Sequence, residues 1–105
     1  MSVSLVDLGA ESGPARYALR GALTIESAAA AFAAGLAGLA KLSRDGRCDF
    51  DCSGIESSDS TGLAVLIEWK AEARRRGLRL SYSNLPLSIV RLARLSDVES
   101  LLTTA

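Results

Sequence analysis

From Cys48 to Leu66 the chain reads CDFDCSGIESSDSTGLAVL, a strand pattern joined to a helix start by nothing more than a polar turn, and every other segment has to be arranged around that junction. Cys48, Phe50 and Cys52 alternate, so an extended backbone places them on one side and Asp49, Asp51 and Ser53 on the other. Gly54 is expected to break the run. The segment from Glu56 through Ser57, Ser58, Asp59, Ser60 and Thr61 to Gly62 crowds hydroxyls and carboxylates ahead of a helical pattern beginning at Leu63, which is the composition of a helix N-terminus. A carboxylate and two hydroxyls therefore stand beside the positive end of a helix dipole.

A chain of 105 residues buries the core of one compact domain but not of two. Twelve Lys plus Arg balance twelve Asp plus Glu, so nothing in the charge points to nucleic acid or to an anionic lipid surface. Cys48 and Cys52 would lie about 13 Å apart along a strand, too far for a disulfide, and two unpaired thiols favour a reducing compartment. The opening MSVSLVDLGAESG has no basic residue and no sustained apolar run, so it does not read as a secretory signal. A cytoplasmic protein is expected.

Val3 to Leu8 and Arg16 to Arg20 read as two short strands around a turn from Gly9 to Pro14. A helix is expected from Thr24, as N-cap with Glu26 in the first turn, to about Leu42, with Ile25, Phe32, Leu36 and Leu39 at helical spacing. Its uncharged stretch from Ser27 to Ala40 is too short to span a bilayer, which takes about 20 apolar residues. It reads either as a helix of small residues packed closely on a sheet or as one with a partner-covered outer face, and Gly35 and Gly38 permit close approach. After a turn from Ser43 to Arg47 and the central strand, a second helix runs from about Ser60 to Arg76 and stops at Gly77. Leu63, Leu66, Ile67 and Ala71 form its core-facing arc. Val65 and Trp69 fall on a different side, where a surface helix is normally polar, and are expected to form an exposed apolar stripe. Arg74, Arg75 and Arg76 suit the negative end of the dipole, with Glu72 placed to pair with Arg76. Leu78, Leu80 and Tyr82 alternate as a last strand ending at Asn84, Pro86 opens a helix with Ile89, Leu92 and Ala93 inward, and Asp97 to Leu102 gives a closing helical turn. Strands alternating with helices from Arg16 onward imply right-handed crossovers and a mostly parallel sheet covered by helices.

Absences narrow the chemistry. The chain has no His, hence no Ser-His-Asp triad and no His-containing zinc site of its own. There is no GxxxxGK[ST] phosphate loop and no GxGxxG after a strand, and two Cys without other soft ligands make no metal cage. A non-catalytic protein with no cofactor and no metal is expected. The polar helix start is then either a structural cap, Asp59 or a neighbouring Ser accepting orphan N–H groups, or a contact surface where Ser60 or Thr61 meets a partner or accepts a phosphoryl group.

Asp51-Cys52-Ser53-Gly54-Ile55 followed by Asp59-Ser60-Thr61-Gly62-Leu63 resembles the D-x-S-G-[VI] and D-[ST]-x-G-L signature of STAS domains. The resemblance implies an α/β STAS fold over residues 1–105, a four- to five-stranded, mostly parallel sheet with an antiparallel N-terminal strand, covered by three to four helices. The stretch Asn84-Leu85-Pro86, with Leu92-Ala93-Arg94-Leu95 and Val98, is similar to the MlaB-like branch, cytoplasmic subunits of phospholipid ABC transporters that maintain outer-membrane lipid asymmetry. That branch implies a non-catalytic regulator bound to an MlaF-like ATPase subunit, in a complex with permease and periplasmic lipid-binding subunits. The expected partner-binding set is Asp59, Ser60, Thr61, Gly62, Val65 and Trp69, with Ser60 at the ATPase contact. Anti-sigma factor antagonists are the other close relatives; by their pattern Thr61, the residue before the Gly, would be the phosphorylated hydroxyl, and both hydroxyls are present here. Asp49 departs from a strand expected to be buried on both sides.

Overall fold

The computed structural model describes residues 3–9, 14–42 and 45–103. Most of the turn expected between Gly9 and Pro14, and Ser43 and Arg44 of the later turn, lie outside the described residues. The elements follow one another as β1 (Ser4–Gly9), β2 (Ala15–Leu23), α1 (Ala28–Ala40), β3 (Arg47–Ser58), α2 (Ser60–Arg75), β4 (Arg79–Ser83), α3 (Leu87–Leu95) and α4 (Glu99–Thr103). The strands form one sheet in the order β1-β2-β3-β4. β1 runs antiparallel to β2, and β2, β3 and β4 are parallel. The expected α/β architecture is therefore present, with four strands and four helices among the described residues.

Alternation along β3 sets the two faces of the sheet. Cys48, Phe50 and Cys52 are buried, and the register aligns Tyr17, Phe50 and Tyr82 in one row across β2, β3 and β4. Phe50 meets Tyr17 edge-on at 5.8 Å and Tyr82 in a tilted contact at 6.1 Å. Trp69 of α2 completes the cluster, 5.3 Å from Phe50 in a T-shaped contact. Both thiols are buried, and burial pushes Cys48 and Cys52 up to about 12, which leaves them protonated and inert.

The opposite face is open, which corrects the expectation of a β3 buried on both sides and accounts for Asp49. Its carboxylate is half-buried and accepts the hydroxyls of Ser81 (2.9 Å) and Ser83 (2.7 Å), with the Arg16 guanidinium at 4.0 Å. Asp51, two residues on, accepts the Ser53 amide at 3.0 Å and the Asn84 side-chain amide at 3.1 Å. Those hydrogen bonds, Ser53 first and then Asn84, hold it below the usual carboxylate range. A strand wetted on one side can carry such a polar ladder at little cost.

Two further boundaries differ from the sequence reading. β3 does not break at Gly54 but continues to Ser58, because Gly54 lies directly against the backbone of Leu19 and Arg20 where a side chain would collide. α1 begins at Ala28 rather than after Thr24. Ser27 turns its hydroxyl back to donate to the Ala22 carbonyl (2.7 Å) and receives the Thr24 amide at 3.0 Å, so residues 24–27 form a tight turn ahead of the helix. Ile25, expected on the core side of α1, is 71% exposed in that turn. The end of α2 follows the expected pattern. Gly77 (φ 71°) closes α2 with the Leu78 amide reaching the Ala73 carbonyl at 2.8 Å, and Asp97 (φ 58°) closes α3 in the same way.

Candidate functional site

α2 carries the candidate residues, and its two sides have different fates. Val65 (6% exposed) and Trp69 (0%) are buried, which overturns the expected exposed apolar stripe. The reason lies in the layers: α2 packs on the sheet, against α1 on one side and against α3 and α4 on the other, so its apolar arc is wider than one sheet requires. Trp69 fills the gap between sheet and α1. Its indole N–H donates to the Phe32 carbonyl at 3.2 Å, and its ring lies where a side chain at Gly35 would stand. Gly35 is thus required by Trp69, the close approach that the small residues of α1 foreshadow. The alanines at 29, 30, 33, 37 and 40 form the outer, exposed side of α1.

The start of α2 is built differently. Asp59 is its N-cap, with extended backbone (φ −135°, ψ −171°), and one carboxylate oxygen accepts the Gly62 amide at 3.0 Å. The other oxygen accepts the amide of Ile25 at 3.0 Å, thirty-four positions away in sequence, so a single side chain caps α2 and ties down the β2–α1 turn. Gly62 and Ile25, in that order, hold Asp59 below the usual carboxylate range, so it is ionised at neutral pH. Gly62 has no room for a side chain, since the carbonyl of Leu23 occupies that space. The glycines of both signature halves, Gly54 and Gly62, therefore exist because β2 presses its backbone against β3 and against the first turn of α2.

Ser60 is exposed and Thr61 half-buried, and no hydrogen bond within the described residues engages either hydroxyl. A hollow of about 270 Å³ opens beside them, lined by Ala22, Thr24, Ile25, Glu26, Ser57 and Asp59. The sequence-based set thus divides: Asp59, Ser60, Thr61 and Gly62 come together at one surface, whereas Val65 and Trp69 lie in the core. Sequence reasoning missed Ile25, whose signal was faint: the capping residues Thr24 and Ser27 bracket it, and a turn ending at the later one exposes it. Among the described residues no group of acidic, Cys or His side chains is placed to hold a metal ion, and no helix is long and apolar enough to cross a membrane.

A family model described as "Mlab, STAS domain" matches residues 6–103, nearly the whole chain. This chain belongs to the MlaB-like STAS family. Among solved structures, the STAS domain resembles part of murine Solute Carrier 26 family member A9, an anion transporter captured facing inward, with a TM-score of 0.54 and 13% identity. The match takes in 92% of this chain and 18% of the transporter chain, and at this identity it shows a shared fold. No curated protein matches the sequence.

Proposed function

We infer that this STAS domain is a non-catalytic accessory subunit of an ABC-type phospholipid transporter that maintains outer-membrane lipid asymmetry. It docks the start of α2, together with the β2–α1 turn, onto the ATP-binding cassette subunit and favours that subunit's active arrangement. Permease and periplasmic lipid-binding subunits move the lipid, and the domain sits at the cytoplasmic side of the inner membrane through its ATPase partner. The observation that carries this reading is the Asp59 bridge, which holds exposed Ile25 and exposed Ser60 in one preorganised patch. An apolar knob beside an uncommitted hydroxyl on a fixed backbone suits protein docking, because little entropy is lost when it is covered. Membership of the MlaB-like family supports the choice of partner.

Coexpression with the proposed ATPase partner tests the proposal. Ile25→Asp and Ser60→Glu should each melt like the wild type yet fail to copurify with the ATPase; copurification of both at the wild-type level overturns the assigned surface. The rival role, a partner-switching regulator phosphorylated on Thr61, finds less support: that hydroxyl is half-buried and ionised Asp59 precedes it by two residues, so a phosphoryl group would meet a like charge. Intact mass after incubation with an anti-sigma kinase and ATP distinguishes the two, an added phosphate favouring the rival.

A further inference from the structure

The pole of the molecule opposite the Ile25 and Ser60 patch is basic, although the chain as a whole has no net charge. α1 returns from the end of β2 to the start of β3, and α2 from the end of β3 to the start of β4. The helix C-termini and strand starts therefore gather Lys41, Arg47, Arg74, Arg75, Arg76 and Arg79 at one end, against Asp45, Glu72 and, on the antiparallel β1 that finishes at this pole, Asp7, whose charge reaches Cys48. Glu72 is committed to Arg75 (2.7 Å) and Arg76 (3.0 Å).

Arg47 and Arg79 stand out within this pole. They are register partners in the parallel β3–β4 pair, so two guanidinium groups project from adjacent strands about 5 Å apart at their backbones, an arrangement that costs stability when left uncompensated. Neither forms an ion pair with any carboxylate of the described residues. The carboxylate next along the same face, Asp49, already holds the Ser81 and Ser83 hydroxyls and lies 4.0 Å from Arg16. Between the two arginines is a hollow of about 260 Å³, completed by Pro14, Cys48, Leu80 and Ser81. Its walls are strand ends and a proline, rigid supports for two planar donor forks.

We propose that Arg47 and Arg79 form a binding site for a dianionic phosphate group, either free inorganic phosphate or the monoester headgroup of phosphatidic acid. Two guanidinium forks present more donors than a single carboxylate accepts in bidentate fashion, and a dianion neutralises both cations at once. Binding at this pole leaves the Ile25 and Ser60 patch uncovered.

The test uses the full chain with two probes. Inorganic phosphate is titrated at constant ionic strength while backbone amide resonances are followed, and cosedimentation is measured with phosphatidylcholine vesicles with and without phosphatidic acid. The expected result is saturable binding that perturbs Arg47, Arg79 and Ser81 and weakens at least about tenfold in Arg47→Gln or Arg79→Gln. A double Arg74→Gln, Arg75→Gln variant should change affinity by less than about twofold. Saturation by phosphate alone identifies the free ion, whereas sedimentation with phosphatidic acid without a response to phosphate identifies the headgroup. Arg47→Lys, which keeps the charge but loses the fork, should bind between wild type and Arg47→Gln. No binding of either probe, or equal weakening by the Arg74 and Arg75 changes, overturns the site, the latter by showing a diffuse field in its place.

Discussion

The flank of α2 that carries Val65 and Trp69 and the tip that carries Ser60 belong to one helix, yet they answer to different physics. The flank is enclosed by the sheet, α1, α3 and α4, and its residues are chosen for shape: Trp69 fits against Phe50 and over Gly35, with its one polar atom bonded to the Phe32 carbonyl. At the tip, an ionised carboxylate fixes two loops while the neighbouring hydroxyl and Ile25 face outward without a role in packing. An apolar residue on a helix is thus no guide to a contact surface until the number of layers around that helix is known.

Four experiments break or sharpen this contrast. The largest effect belongs to the flank: Trp69→Ala removes a fully buried ring and should cost about 3–5 kcal/mol in denaturant unfolding, whereas a near-neutral result would place the ring outside the core. At the boundary between flank and tip, Gly62→Ala drives a methyl group into the Leu23 carbonyl and should cost about 1–3 kcal/mol, with α2 shifted off the end of β2. A stable variant with unshifted amide resonances near Leu23 would contradict that packing.

The third experiment concerns pH. Asp59 has a folded-state pKa below its unfolded value, so its contribution is present above the ordinary carboxylate pKa of about 4 and is lost as the pH falls through the depressed folded value. Asp51 and Glu72 shift in the same direction, so the wild type should lose stability as it is acidified. Asp59→Asn removes one of these contributions and should give a shallower decline over that acid range; an unchanged slope would mean that the carboxylate does not bridge the two loops. The smallest stability effects belong to the tip itself. Ser60→Glu and Ile25→Asp should each stay within about 0.5 kcal/mol of wild type, and a larger loss would show that the patch is part of the core.

Much of this division was legible beforehand, and the exceptions share a cause. Alternation identified the inward row of β3, Asp59 was recognisable as a cap, Gly77 and Asn84 marked the ends of α2 and β4, and Pro86 stands at the head of α3. These are local signals, readable from neighbours a few residues apart. Three features depended on what lies across the fold. Trp69 is buried because α1 passes over it. Asp49 is tolerated because one face of the sheet stays open. Ile25 is exposed because Ser27 spends its hydroxyl on the Ala22 carbonyl, which delays the helix by a turn. None of these leaves a periodic trace in its own segment. Asp59, Ser60, Thr61 and Gly62, expected together, do share one surface, whereas Val65 and Trp69, expected beside them, lie in the core and the exposed apolar neighbour there is Ile25.

Hydrogen exchange on the domain alone and in complex with the proposed ABC ATPase partner measures the contact surface directly. Protection appearing at residues 24–26 and 60–64, with the amides around Trp69 already protected in the isolated domain, is the predicted result. New protection confined to the open face of the sheet or to α3 and α4, with residues 24–26 and 60–64 unchanged, would contradict it.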